Sequence, residues 1–141
     1  MKAKLIKQLR RDEGEVLHAY TDSLSFLTIG VGRLIDKRKG GGITAEESAY
    51  LLNNDIERTR AELLRRAPWI AGLDDARRGC LINMAFQLGV DGLLGFKNTL
   101  EMVRRGDYAG AAAGMLQSLW ARQTPERAKR LSAQMLTGVW Q

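Results

Sequence analysis

The chain has 141 residues, a formal net charge of +6 and a sequence pI of about 9.8. That length suits one domain burying well over half of its unfolded surface, so neither a disulfide nor a cofactor is expected, and Cys80 has no intrachain partner. No apolar run is long enough to span a membrane, and Lys and Arg interrupt every apolar stretch of the opening segment, so neither stable membrane insertion nor a secretory signal is expected. The positive charge favours a polyanionic partner, whether nucleic acid, an anionic membrane surface or an acidic cell wall. Nucleic acid is not expected, because the basic residues stand in scattered pairs such as Arg65 and Arg66 or Arg104 and Arg105, without interleaved aromatic stacking platforms.

Leu5, Ile6 and Leu9 recur at helical spacing among Lys and Arg, which predicts an amphipathic helix over 2–11 ending near Gly14. From Val16 to Leu34 the helical period is lost. β-Branched and aromatic residues, a Thr-Asp-Ser turn signal and two glycines predict a small twisted sheet with Asp22 at its turn and Thr28 on the following strand. A basic, glycine-rich loop is expected over Lys37 to Gly42, and a capping box at Thr44 to Glu47 opens a helix running to about Arg66. Its predicted apolar stripe is Leu51, Leu52, Ile56, Leu63 and Leu64, with Glu62 paired to Arg66 and Pro68 ending it. Some 22 residues at 1.5 Å each reach roughly 33 Å, long enough to join two lobes. Beyond Asp74, helical patterns over Ala76–Leu88, Asn98–Arg105, Tyr108–Leu119 and Pro125–Leu136 alternate with glycine stops, and Thr124 is expected to cap the last.

The chemistry concentrates near the sheet. Glu13 at a helix end, Asp22 in a turn and Thr28 on a strand supply two carboxyls and a hydroxyl, the set that glycosidic hydrolysis needs: one carboxyl donates a proton to the leaving oxygen and the second works on the opposite side of the ring. Desolvation at the end of an apolar helix would favour a neutral acid, whereas a turn carboxylate stays solvated. Cys80, beside Leu81 and Ile82, reads as a core residue, and His18 as a surface residue. Trp120 and Trp140 read as core residues.

These residues resemble the bacteriophage-type lysozymes, or endolysins, of glycoside hydrolase family 24. One matching block is Leu9-Arg-Arg-Asp-Glu13-Gly14 with Tyr20, Asp22 and Thr28-Ile-Gly30-Val-Gly32. A second comprises Asn83-Met84-Ala-Phe86-Gln87-Leu-Gly89, Gly95-Phe96-Lys-Asn98-Thr99-Leu100, Trp120, Gln123 to Arg130 and Thr137-Gly138-Val-Trp140. The resemblance implies an α+β fold: a small sheet-bearing lobe (about 14–55) and a mostly helical lobe (about 67–141) carrying the N-terminal helix, joined by the long helix, with a cleft between the lobes. It implies Glu13 as general acid, Asp22 as the carboxylate supporting the water or the developing charge, and Thr28 as water-positioning residue. Leu34, Phe86, Gln87 and Thr99 are then expected to line the sugar site, with Arg127 approaching Glu13.

Two positions depart from the family pattern. Arg33 stands where a histidine often follows the second glycine, and Gly114 where some members carry a sugar-contacting asparagine. The expected activity is a muramidase cleaving the β-1,4 bond between N-acetylmuramic acid and N-acetylglucosamine in peptidoglycan, with inversion, as a monomer and without metal or cofactor. The expected setting is host cell lysis, with the protein held in the host cytoplasm until release. The alternative is a non-catalytic cationic protein that binds walls or membranes on the same fold.

Overall fold

The computed structural model describes residues 1–35 and 41–141, so most of the loop expected over Lys37 to Gly42 lies outside the described residues. The order is α1 (Lys2–Glu13), β1 (Val16–Thr21), β2 (Leu27–Gly30), β3 (Arg33–Leu34), α2 (Ala45–Arg66), a 3₁₀ turn (Pro68–Gly72), α3 (Asp75–Leu94), α4 (Lys97–Arg104), α5 (Tyr108–Leu116), α6 (Leu119–Gln123) and α7 (Pro125–Thr137). This is the expected α+β class: among the described residues, one antiparallel sheet, ordered β1-β2-β3, and helices otherwise. The chain forms two compact units, Met1–Leu51 and Leu52–Gln141.

In the first unit, α1 ends where Gly14 takes a positive φ of 76° and its N–H closes on the Arg10 carbonyl. Tyr20 pairs with Thr28 and Thr21 with Leu27 across the hairpin, and Thr28 pairs in turn with Leu34 of β3. Thr28 is therefore central in the sheet and buried. The capping box at α2 forms as the sequence predicts. The Thr44 hydroxyl accepts the Glu47 N–H at 3.1 Å.

The second unit holds the core: Leu63, Ile70, Leu81, Met84, Leu93, Met115 and Met135 are fully buried, and Cys80 is among them as expected. Only the end of the predicted α2 stripe joins this core. Leu63 is buried and Leu64 packs on it, whereas Leu51, Leu52 and Ile56 are exposed. Glu62 and Arg66 pair as predicted, at 3.8 Å, and Arg66 also bonds Asp91. Gly89 breaks α3 with φ 78° and ψ 156°, which a side chain would resist, so the predicted stop is real although short helical structure resumes to Leu94. Arg77 donates from Nε to the Met135 carbonyl at 2.7 Å and from Nη2 to that of Leu136 at 2.9 Å, satisfying acceptors at the end of α7.

Two expectations for this unit are corrected. Thr124 does not cap α7 with its side chain; its hydroxyl donates to the Trp120 carbonyl at 3.0 Å, because α6 ends immediately before it and presents an orphan acceptor. Trp120 is a core residue, but Trp140 is 63% exposed, its ring lying over Gly79, where any Cβ would come within 2.2 Å of it.

Candidate active site

Within the first unit, the turn between β1 and β2 is built around the Asp22 side chain. Asp22 Oδ1 accepts the backbone N–H groups of Leu24 at 2.9 Å and Phe26 at 2.8 Å, so its carboxylate replaces the backbone acceptor that a tight turn lacks. Ser25 sits at φ 68° to complete the reversal. The Phe26 carbonyl then accepts twice, from the Asp22 N–H at 2.9 Å and from the Thr28 hydroxyl at 3.0 Å. One peptide unit thus fixes both residues that the sequence placed on this hairpin. The sequence reading did not single out Phe26, because its contribution is made by main-chain atoms that any residue carries. The exposed His18 plays no part in the turn.

The geometry divides the labour of these groups. Oδ1 of Asp22 is committed to the turn, and Oδ2 takes no part in these two bonds. The Thr28 hydroxyl spends its proton on Phe26, so its lone pairs remain to accept a hydrogen bond.

Glu13 closes α1 and reaches back over the sheet. A Cβ at Gly32 would lie 2.8 Å from Glu13 Oε2, so the carboxyl rests against a glycine surface. Gly32 also has φ 66°, giving it two reasons to lack a side chain. The neighbouring cations are engaged elsewhere: Arg10 with Glu15 at 2.9 Å and Arg11 with Asp12 at 2.7 Å. Glu13 makes no ion pair among the described residues, and it is solvent-exposed.

Arg33, next to Gly32, forms a fork with Glu47: Nη1 to Oε2 at 2.8 Å and Nη2 to Oε1 at 3.2 Å, while Nη1 also donates to the Gly42 carbonyl at 3.1 Å. The guanidinium holds the Glu47 carboxyl below the usual carboxylate range, and the carboxylate raises Arg33 in return. Leu34 is half-buried on β3.

The remaining predicted residues belong to the second unit. Gln87 is exposed, and its side-chain carbonyl accepts the Trp120 indole N–H at 2.8 Å. Phe86 is 42% exposed and lines an apolar cavity of about 350 Å³ with Leu52, Ile56, Ile82 and Trp140. Arg127 also borders this cavity. Its guanidinium donates to Asn83, from Nε to Oδ1 at 3.0 Å and from Nη2 to Oδ1 at 2.6 Å. Thr99 is buried, with its hydroxyl facing Gly114 so closely that a Cβ there would sit 3.0 Å from Oγ1; an asparagine at 114 would have to displace it. Among the described residues, no three His, Cys, Asp or Glu side chains converge as a metal site would require.

A family model described as phage lysozyme matches residues 10–135, a span that includes Glu13, Asp22, Thr28 and Arg127. The chain belongs to the phage lysozyme family. It is a glycoside hydrolase, and the family's substrate is peptidoglycan. A probable T4-type lysozyme of Dictyostelium discoideum is 30% identical to this lysozyme, with 99% of this chain and 97% of the relative aligned. The endolysin of Salmonella phage P22 is 34% identical over 82% of this chain and 79% of its own length. The pre-baseplate central spike protein of Enterobacteria phage T4 is 31% identical over 95% of this chain, which corresponds to 28% of that longer protein.

Proposed function

We propose that this lysozyme is a muramidase that hydrolyses the β-1,4 bond between N-acetylmuramic acid and N-acetylglucosamine, with inversion of the anomeric centre. The observation that carries the reading is the shared anchoring of Asp22 and Thr28 on the Phe26 peptide, which leaves one carboxylate oxygen and one hydroxyl lone pair to direct a water. Glu13 donates its proton to the leaving glycosidic oxygen. Thr28 orients the water, the Asp22 carboxylate takes its proton as it attacks the anomeric carbon, and bound glycan excludes bulk solvent from the reacting atoms. Inversion requires the two carboxyls to stand roughly 6.5–9.5 Å apart around the bound sugar. Leu34, Phe86, Gln87, Thr99 and Arg127 serve substrate binding.

The enzyme acts as a monomer in host cell lysis, held in the host cytoplasm until it is released to the wall. Its charge of +6 favours the anionic wall as target, without nucleic-acid partners or membrane insertion.

The test is mass spectrometry of digested peptidoglycan, with NMR of the first-formed anomer. Reducing-end muramic acid in the α configuration is expected, and reducing-end glucosamine would refute the bond assignment. Glu13→Gln is expected to fold and to lose all turnover. Lysis retained by that variant would favour the non-catalytic cationic reading.

A further inference from the structure

We infer that Arg33 and Glu47 form a positioning pair that holds the Gly32 backbone against the Glu13 carboxyl. The inference rests on Glu13 being the general acid. β3 is only two residues long, and its pairing with β2 covers Thr28 with Leu34 and Ile29 with Arg33. So short an edge strand has few ladder bonds to fix its place. Yet Gly32, immediately before it, forms the surface on which Glu13 rests, with 2.8 Å between Oε2 and the place a Cβ would take. Something outside the ladder must hold that surface steady.

The Arg33 fork does so. Its two nitrogens grip both oxygens of Glu47, and one of them also grips the Gly42 carbonyl. Glu47 lies in the first turn of α2, and its own N–H is tied to the Thr44 hydroxyl at 3.1 Å. Directional contacts thus run from the start of α2 through Glu47 to Arg33, whose chain neighbour Gly32 is the surface on which Glu13 rests. The side chains of Arg33 and Glu47 are 47% and 37% exposed, and pairs that open to solvent contribute little to stability. Their geometry matters more, since displacement of a catalytic group by about 1 Å can cost on the order of 100-fold in rate. A guanidinium suits this role because it is planar and charged at every working pH, which a histidine at the same place is not.

The test is a double-mutant cycle with Arg33→Ala, Glu47→Ala and both together, supplemented by Glu47→Gln and Arg33→Lys. Turnover is measured on soluble fragments of purified peptidoglycan, well below each variant's melting temperature. Each single alanine variant is expected to lower kcat about tenfold with KM within twofold, and the double variant to be no worse than either single. Arg33→Lys is expected to fall short of the parent, since an ammonium cannot reproduce the fork. Unchanged kcat in either alanine variant, losses that multiply in the double, a loss confined to KM, or full activity of Arg33→Lys would each overturn the inference. Glu13→Gln is run beside them. If it is inactive while the pair variants are unaffected, only the inference fails; if it turns over, the acid assignment fails and the inference with it.

Discussion

Trp120 donates its indole N–H to the Gln87 side-chain carbonyl at 2.8 Å, joining a buried core residue to an exposed one that is expected to meet the sugar. The bond spends the amide's acceptor on the protein and leaves its NH₂ as the group offered to ligand. Phe96 meets the Trp120 ring edge-on at 6.2 Å, so the indole's own place is set by packing. Trp120→Phe should keep that packing while freeing the Gln87 amide to rotate. The expected result is a loss of about 1 kcal/mol in stability by denaturant titration, with KM raised several-fold and kcat within twofold on soluble peptidoglycan fragments. An unchanged KM would show that the orientation of Gln87 does not matter to binding.

Gly32 carries two constraints that substitution can separate. Gly32→Ala meets both the unfavourable positive φ of 66° and the Glu13 carboxyl, whereas Gly30→Ala meets a φ of 70° with no atom within 4 Å of the new Cβ. Both should lose about 1–2 kcal/mol from the backbone alone. Only Gly32→Ala should also lose activity, by at least about tenfold, because the acid must move. Equal activity of the two folded variants would mean that the contact with Glu13 is incidental.

How much of this was legible in the sequence depended on whether a signal was local. Gly14, Gly89, Pro68 and the Thr44 to Glu47 box act through their own backbone neighbours, and each does what its residue type predicts. Thr124 and Trp140 failed because tertiary partners decided them: the end of α6 recruited the Thr124 hydroxyl, and the bare surface of Gly79 drew the Trp140 ring out of the core. The site divides the same way. Glu13, Asp22 and Thr28 could be named from spacing and resemblance, since they sit on one short stretch. The double use of the Phe26 carbonyl and the Arg33 fork onto Glu47 could not, since the first turns on a main-chain acceptor that any residue at 26 would carry and the second joins residues 14 apart in sequence.

Asp22 shapes the turn and, in the proposed reaction, takes the proton of the water, and the two tasks respond to different substitutions. Asn keeps an Oδ1 able to accept the Leu24 and Phe26 N–H groups but removes the charge; Ala removes both. Asp22→Asn should therefore melt within a few degrees of the parent and lose on the order of 100-fold or more in kcat. Asp22→Ala should lose a comparable amount of activity and about 1–3 kcal/mol of stability, because the turn loses two hydrogen bonds. An active, stable Asp22→Asn would confine this residue to shaping the turn.

Cys80 offers a pH test of the core. Its side chain is fully buried and donates to the Leu131 carbonyl at 3.3 Å, and burial raises the thiol from an ordinary value of 9.0 to about 12. Below pH 9 the thiol is neutral whether the chain is folded or not, and it contributes no pH dependence. Between pH 9 and about 12 the unfolded chain releases the proton and the folded chain retains it. The unfolded state then binds fewer protons, so stability must fall as pH rises, by about 1.4 kcal/mol per pH unit from this group. Cys80→Ala lacks this contribution. Its stability, lower at neutral pH by the cost of a small cavity, should decline less steeply above pH 9 than that of the parent. The same burial predicts that the folded protein resists thiol-labelling reagents at pH 8 and reacts only as it unfolds. Parallel alkaline slopes for the two proteins, or rapid labelling of the native state, would show that Cys80 reaches solvent through an opening of the α3 and α7 packing short of global unfolding.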